Sequence, residues 1–140
     1  MNEQVLSIEQ MKVLVDLGVD DSKASMCHTL FNNNGKIEKD LVIYSDYLVQ
    51  IWVSDSTPTF TTHDLMMLLP DRITIKNNGD EEKDEKYKLK ITALALKHWA
   101  VEYECHSNKY FLIATYSTNL IDALFDMVVK CVKNGYIKTK

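Results

Sequence analysis

Apolar and polar residues follow two different periods along the chain, and the change of period divides it into segments. Residues 6–18 have the helical period, with the spacing of one buried face at Ile8, Met11, Leu14 and Val15. Ser7 and Gln10 have the spacing of a capping box, and Gly18 suits the left-handed position that ends a helix. These signals predict a first helix over residues 6–18.

The next segment has the pattern of a β-hairpin. An apolar run over residues 24–31 precedes the turn sequence at residues 32–35, where three asparagines and a glycine tolerate positive φ. The returning arm is predicted at residues 41–44. Residues 47–53 alternate again after a short polar break. One long strand and two separate strands over residues 41–53 both fit this pattern.

A second capping box lies near the middle of the chain. Thr61 and Asp64 are its polar members, and Phe60 and Leu65 have the spacing of a hydrophobic staple. Pro70 ends the segment, because a proline disfavours helical backbone at the residue before it. A short helix is therefore predicted between Thr61 and Pro70.

Four alternating segments follow, and they predict antiparallel strands at residues 72–76, 87–91, 98–105 and 110–115. On the third strand, the apolar face carries Trp99, Val101, Tyr103 and Cys105. The opposite, polar face carries His98, Glu102 and Glu104. If the protein binds a small ligand, this polar face is where we expect the site.

The C-terminal segment predicts a long helix from about Thr118 to Asn134, capped by Ser117 or Thr118 and closed by Gly135. Its polar stripe spans only about 80° of the helix circumference and consists of Asp122, Asp126, Lys130 and Lys133. A helix this apolar must be covered on more than one side. Either the sheet and the other helices cover it, or one flank contacts a partner or a second copy of the chain. The candidate interaction surface is Phe125, Val129, Val132 and, from another segment, Trp52.

The order of these segments predicts one α+β domain over residues 1–140. We expect three helices and a mainly antiparallel sheet of about five or six strands, in the order α-β-β-α-β-β-β-β-α, with the long C-terminal helix packed on the sheet. A chain of 140 residues is long enough to bury one core without a disulfide or a metal.

Charge and composition narrow the class of partner. The formal net charge is −4, and Arg72 is the only arginine. Because nucleic-acid affinity comes largely from Lys and Arg contacts to phosphates, we expect no nucleic-acid partner. The chain has no basic and apolar leader and no run near the roughly 18 apolar residues of a membrane span. A cytoplasmic protein without a membrane partner is expected.

The glycines argue against a phosphate-binding loop. Gly18 and Gly135 follow predicted helices, and Gly35 and Gly79 lie in Asn-Gly turns, so none remains for a nucleotide-binding motif. The chain also has no Gly-x-Ser-x-Gly nucleophile elbow. We expect no catalytic residue and no cofactor, and a non-enzymatic role is favoured.

The cysteines have the pattern of buried, reduced thiols. Cys27, Cys105 and Cys131 are odd in number, widely spaced and set among apolar residues. The dipeptide Cys27-His28 recurs as Cys105-His106, which offers zinc-ligand types. Adjacent residues of a strand face opposite sides of the sheet, however, so the two dipeptides converge only at strand ends or bulges. No metal site is expected.

A lysine ladder explains the paired carboxylates better than acid–base catalysis does. The strand predicted next to Glu102 and Glu104 has three lysines at a period of two, namely Lys86, Lys88 and Lys90. Opposite charges across neighbouring strands stabilise a sheet by about 0.2–1 kcal/mol per pair. This pairing also argues against a basic docking stripe.

Several short runs resemble a group of uncharacterised small proteins encoded in phages and prophages of gut bacteria. They lie at both ends and in the middle of the chain, at residues 6–11, 17–20, 58–61, 68–70, 120–124 and 134–137. The resemblance implies a mobile-element origin and a role inside an infected or lysogenic cell. The group has no established activity, so the resemblance transfers no functional residue.

The leading hypothesis from the sequence is a non-enzymatic protein-interaction module of phage or prophage type. It would bind a protein partner, or itself, through the last helix or an exposed sheet edge. Narrower versions are a small acidic inhibitor of a host defence system and a virion or assembly component. The alternative is a small-ligand binder or an enzyme with an unfamiliar site on the polar strand face.

Overall fold

Two antiparallel sheets and three helices form the part of the chain that the computed structural model describes, residues 5–43, 55–76 and 84–139. The helices are α1 (Ile8–Asp16), α2 (Thr62–Leu68) and α3 (Leu120–Lys133). The strands are β1 (Met26–Asn33), β2 (Lys36–Ile43), β3 (Asp55–Thr59), β4 (Arg72–Ile75), β5 (Glu85–Leu94), β6 (His98–Cys105) and β7 (Phe111–Ser117). Short 3-10 turns occupy Asp21–Lys23 and Ala95–Lys97.

The predicted α+β class is confirmed, with three helices, antiparallel strands and a C-terminal helix packed on the sheet. The strands form two sheets, with the orders β2-β1-β3 and β4-β5-β6-β7. Strand β3 adds to the predicted order, and the sequence missed it because this segment contains Pro58 and no apolar alternation. Its pairing with β1 defines it. Strand β2 ends at Ile43, and residues 44–53, on which the choice between one strand and two depends, lie outside the described residues, as does the turn at Gly79.

Helix α1 has the predicted N-cap and the predicted glycine after its end, but it is two residues shorter at each end than predicted. Of its predicted buried face, Met11 and Leu14 are buried while Ile8 and Val15 are exposed. The Ser7 hydroxyl accepts from the Gln10 backbone N–H at 3.1 Å, and the Gln10 side chain accepts from the Ser7 N–H at 3.0 Å. Gly18 has a φ of 93°. The N–H groups of Gly18 and Val19 then bond back to the last turn of the helix, at 2.9 Å each. The capping box and the left-handed glycine each depend on residues within one or two helical turns, so the sequence alone locates them.

The predicted N-cap of α3 is wrong. Asn119 caps the helix, and its side chain accepts from the Ile121 N–H at 3.0 Å. Ser117 still belongs to β7 and its hydroxyl accepts from the Asn119 N–H at 3.2 Å, so it stabilises the turn before the helix. The other predicted cap, Thr118, lies in that turn. The C-terminal prediction is confirmed, since Gly135 follows the helix with a φ of 77°.

Asp64 joins the start of α2 to the start of β1. It completes the predicted capping box, accepting from the Thr61 N–H at 3.0 Å while its own N–H donates to the Thr61 hydroxyl at 3.1 Å. Its carboxylate also accepts from the backbone N–H of Ser25 at 2.9 Å and from the Ser25 hydroxyl at 2.5 Å. Burial opposes ionisation, but these hydrogen bonds outweigh it and lower the pKa of Asp64.

The core lies between α3 and the four-stranded sheet. Helix α3 packs on β6, β7 and α2, and its buried side chains are Ile121, Ala123, Leu124, Met127, Val128 and Cys131. Tyr103 of β6 is fully buried among them, and its hydroxyl donates to the Pro70 carbonyl oxygen at 2.6 Å. Burial raises the pKa of Tyr103, and its hydroxyl also contacts the Cys131 thiol. One side chain therefore connects the sheet with α2 and α3.

We expect Tyr103→Phe to lower the free energy of unfolding by about 1–3 kcal/mol, because the Pro70 carbonyl loses its donor in a partly buried place. Urea unfolding followed by circular dichroism measures this change. Tyr116→Phe is the matched control, since Tyr116 is 56% exposed and its hydroxyl removal is expected to change little. Equal losses of unfolding free energy in both variants would contradict a stabilising role for the Tyr103–Pro70 hydrogen bond.

The Asp64 hydrogen bonds predict an acid-sensitive contribution to stability. Because the folded pKa is lower than the unfolded one, this contribution is present above about pH 4 and is lost as the pH falls through the folded pKa. Asp64→Asn is expected to cost about 1–2 kcal/mol at neutral pH and to reduce the loss of stability on acidification. Urea unfolding at a series of pH values tests this, with Asp16→Asn, an exposed carboxylate, as the control. Parallel acid profiles for the wild type and Asp64→Asn would refute it.

Candidate interaction site

A groove of about 460 Å³ runs beside α3 and β7. Its apolar lining combines three elements: Val13 of α1, Phe125 and Val129 of α3, and Ala114 and Tyr116 of β7. Charged side chains from α3 complete the lining, namely Asp126, Lys130 and Lys133. An apolar lining with charged members is the composition expected of a contact site.

The groove lies along the edge of the four-stranded sheet. Strand β7 is last in that sheet, and within the described residues no strand pairs with its outer side. An edge strand presents a row of backbone donors and acceptors that another chain can pair with. The Lys130 ammonium donates to the Ala114 carbonyl oxygen at 3.3 Å, so this carbonyl is reachable from the side of the groove. Apolar surface and hydrogen-bonding backbone therefore lie side by side.

Helix geometry explains why two of the predicted surface residues line this groove. Leu124 and Val128 are buried against the sheet, and Phe125 and Val129, each one residue later, turn about 100° away toward the flank. The Thr115 hydroxyl fixes the helix to β7, because it donates to the Ala123 carbonyl oxygen at 2.8 Å in a buried position. The flank of α3 is thus held at a set distance from the sheet edge.

The other two residues of the predicted surface are Val132 and Trp52. Val132 is half-buried against the core and does not line the groove, and Trp52 lies outside the described residues. The sequence did not point to Val13 or Tyr116, which are 43% and 56% exposed. Their exposure follows from tertiary packing, and no local pattern marks it.

The acidic member of the groove has a perturbed ionisation. Burial, together with the nearby charge of Asp122, raises the pKa of Asp126, and Lys130 opposes that shift. Asp122 is itself held by the Gln10 side chain, which donates to it at 2.9 Å. This contact ties α1 to α3 and sets the side of the groove that Val13 occupies.

The polar strand face does not gather its three candidate residues at one point. His98 is exposed at the start of β6, where its Nδ1 lies 3.0 Å from the Leu96 carbonyl oxygen. Glu102 is buried, and four residues along a strand separate it from His98 by about 13 Å. Glu104 is paired with Lys90 at 3.2 Å. The residues lie along one line of the sheet and do not converge on a common ligand atom.

The predicted charge ladder is confirmed by the strand register. Lys88 lies opposite Glu104, and Lys90 lies opposite Glu102. The one ion pair between β5 and β6 among the described residues is diagonal, from Lys90 to Glu104, with the lysine side chain 53% exposed. Such an exposed pair contributes at most about 1 kcal/mol.

The two Cys-His dipeptides lie in different sheets. Cys27 and His28 belong to β1, whereas Cys105 ends β6 and His106 follows it in the turn. The ring of His28 is engaged with the Leu6 carbonyl oxygen at 2.8 Å. Within the described ranges, no three His, Cys, Asp or Glu side chains come close enough to share a metal ion. All three cysteines are free and buried, as predicted.

A second concave surface, which the sequence did not predict, lies on the opposite face of the four-stranded sheet. This basic hollow has a volume of about 560 Å³, and its charged and histidine side chains are Arg72, Lys86, Lys88, Lys90, Lys109, His106 and Glu104. Arg72 lies directly opposite Lys88 on neighbouring strands. The shared period of two on β4 and β5 is the sequence signal for this surface, but reading it requires the register of the hairpin.

Comparison with protein-family models, curated proteins and solved structures finds no match to this chain. No helix within residues 5–43, 55–76 and 84–139 combines the length and apolar character needed to cross a bilayer. Function therefore has to be argued from the geometry of these two surfaces.

The three thiols are expected to differ in reactivity. Burial raises the pKa of Cys131 to about 11 and also raises the pKa of Cys27, whereas the Ser107 hydrogen bond, opposed by burial, lowers that of Cys105. Because the thiolate is the reactive form, iodoacetamide at mildly alkaline pH is expected to alkylate Cys105 first and Cys131 last. Mass spectrometry of digested time points gives the order. Ser107→Ala is expected to slow the labelling of Cys105, and first labelling of Cys131 would contradict the assignment.

Proposed function

We propose that this protein is a non-enzymatic interaction module that binds an extended segment of a partner protein along β7, with partner side chains in the groove beside α3. The observation that carries this proposal is the position of the apolar groove directly beside an edge strand, whose outer side has no strand partner among the described residues. Addition of a strand to an exposed sheet edge is a recurring mode of peptide recognition.

The two halves of the site would contribute differently to binding. Backbone hydrogen bonds to β7 supply affinity for any extended segment, because every residue except proline has both a donor and an acceptor. Alternate side chains of an added strand point to one face, so every second partner residue can reach the apolar lining at Phe125 and Val129. We therefore expect a preference for apolar residues at a period of two.

The charged residues of the groove would set the register of the bound segment. Lys130 and Lys133 attract acidic partner residues, and Asp126 disfavours them at its own end. The Ala114 carbonyl oxygen has a second lone pair, so an added strand can bond to it while Lys130 stays in place.

The sequence resemblance supports a wider setting for this proposal. Similarity to proteins of phages and prophages favours a partner inside a bacterial cell, and a cytoplasmic location belongs to the same proposal. Inhibition of a host defence protein and a role in virion assembly are two forms that such binding can take. Both require a protein contact and neither requires catalysis.

The groove makes a specific prediction about two valines on the same helix. Val13 lines the groove and is 43% exposed, whereas Val15 is 45% exposed and does not line it. Peptides selected from a random display library are expected to bind at least about tenfold more weakly to Val13→Glu, because a carboxylate replaces apolar lining and has to be desolvated when the peptide binds. Val15→Glu, the matched control, is expected to leave affinity unchanged. Fluorescence anisotropy with the selected peptides measures both.

Amide hydrogen exchange tests where the peptide binds. Strand addition is expected to slow exchange at outward-facing amides of β7, which lie between Phe111 and Ser117. Equal weakening by the two valine substitutions, or bound peptides that leave β7 amides unprotected, would overturn the proposal. Light scattering distinguishes a partner from a second copy, since a dimer lost in Val13→Glu would assign the groove to self-association.

A further inference from the structure

The basic hollow concentrates cations on one face of a chain whose net charge is −4. It contains five lysine and arginine side chains, from Arg72, Lys86, Lys88, Lys90 and Lys109, and one carboxylate, Glu104. Glu104 pairs with Lys90, and within the described part of the chain no other ion pair involves these cations. The local charge of this surface is therefore opposite to that of the whole chain.

The sheet register places two of these cations in direct opposition. Arg72 of β4 and Lys88 of β5 are Cα partners in the antiparallel ladder, so their side chains emerge on the same face. Like charges directly opposite each other destabilise a sheet. Both residues are exposed. Glu104 lies opposite Lys88 on its other side but pairs with Lys90, so an anion bound between Arg72 and Lys88 would reduce the repulsion that remains.

Lys109 is another cation of the hollow that is held at a cost in free energy. It lies in the turn between β6 and β7 with a φ of 61°, in the left-handed region that favours glycine and asparagine. The turn closes through a hydrogen bond from the Lys109 N–H to the Cys105 carbonyl oxygen at 2.9 Å. A lysine is held here at a conformational cost, and it lines the hollow. Strain of this kind points to a role for the side chain.

From these observations we propose that the basic hollow binds the phosphate groups of a polyanion, supplied either by a free polyphosphate or by the backbone of a single nucleic-acid strand. Several separate cations around a concave surface match a ligand with several phosphates better than one with a single charge. Arg72 offers a planar fork for two oxygens of one phosphate, and the lysines act as point charges.

The negative charge of the chain does not exclude this ligand. Salt screens charges beyond about 8 Å at physiological ionic strength, so a phosphate in the hollow responds mainly to the nearby cations. The total charge predicts a weak, salt-screened repulsion at long range, and the local positive charge of the hollow sets the binding energy. The sequence-based expectation of no nucleic-acid partner rests on the total charge and the arginine count. The expected pairing of Lys86, Lys88 and Lys90, which argued against a basic docking stripe, gives one ion pair among the described residues, from Lys90 to Glu104.

Exposed aromatic rings adjoin the hollow. They allow a nucleic-acid strand to be distinguished from a free polyphosphate. Phe111 lies opposite Glu104 in the register and is 49% exposed, and Tyr110 beside it is 72% exposed. Nucleobases stack on such rings, whereas an inorganic polyphosphate has nothing to stack. A nucleic-acid strand would therefore use Phe111 in addition to the cations.

The test uses the full chain with three probes: sodium tripolyphosphate, an oligothymidylate of about 12 nucleotides and a polyglutamate peptide of similar length. Calorimetry and fluorescence anisotropy measure affinity at low salt. Lys88→Glu is expected to weaken binding of the phosphate probes about tenfold or more, because a charge-assisted contact becomes a repulsion. Lys12→Glu, the same change at an exposed position of α1 outside the hollow, is expected to have little effect.

Lys109→Gly separates binding from folding. Glycine relieves the positive φ, so this variant is expected to unfold at a higher urea concentration while binding the phosphate probes several-fold more weakly. The Phe111→Ala variant shows which ligand supplies the phosphate groups. Weaker binding of the oligonucleotide with unchanged binding of tripolyphosphate indicates a nucleic-acid strand, and unchanged binding of both indicates a free polyphosphate.

Three results would overturn the inference. Polyglutamate binding as tightly as the phosphate probes would show a general attraction for anions. Equal losses for Lys88→Glu and Lys12→Glu would show an effect of total charge. Absence of binding to both phosphate probes at low salt would show that the hollow is not a phosphate site. None of these results bears on the groove beside β7, because the two surfaces share no lining residue.

Discussion

Tyr103 lies where three elements of the fold meet. Strand β6 carries it, its hydroxyl donates to the Pro70 carbonyl oxygen just after α2, and the Cys131 thiol of α3 lies beside it. A fully buried phenol must keep its hydrogen bond, because leaving the group unsatisfied costs more than the bond itself contributes. The end of α2 and the face of α3 are therefore constrained together. The position of every groove residue on α3 depends on this constraint.

The groove is a consequence of that packing. A helix that buries Leu124, Val128 and Cys131 against a sheet must turn its next residues to the side, at about 100° per residue. Because α3 packs over β6 and β7, its flank projects beside the edge of the sheet. The narrow polar stripe of α3 leaves this flank apolar. Core packing and interaction surface are thus two faces of one helix, and a mutation in either is expected to affect the other.

The sequence predicts features that depend on residues a few positions apart. It misses features that depend on which strands pair and in what register. The capping boxes at Ser7 and Thr61 and the glycine ends of α1 and α3 are local, and they are found correctly. The cap of α3 is missed because the length of β7 depends on its partner β6. Strand β3 is missed for the same reason, since only β1 defines it. The apolar excess of α3 identifies Phe125 and Val129, but Tyr116 and the basic hollow depend on register.

The features that lower stability are more informative about function than those that raise it. The edge of β7, the opposition of Arg72 to Lys88 and the positive φ of Lys109 each cost free energy that a simple substitution would recover. Positive φ also occurs at Leu96 and Lys97, in the turn between β5 and β6, which lines neither surface, so backbone strain alone does not mark a binding site. Sites where local rules are broken while the surrounding fold obeys them are where binding function is expected. The β7 edge, the Arg72–Lys88 opposition and Lys109 fall on two surfaces of one sheet, one apolar beside the outer side of β7, which has no strand partner among the described residues, and one basic on the opposite face. The two surfaces share no lining residue, yet both reach β7, since Phe111 beside the hollow belongs to the strand along which the groove runs.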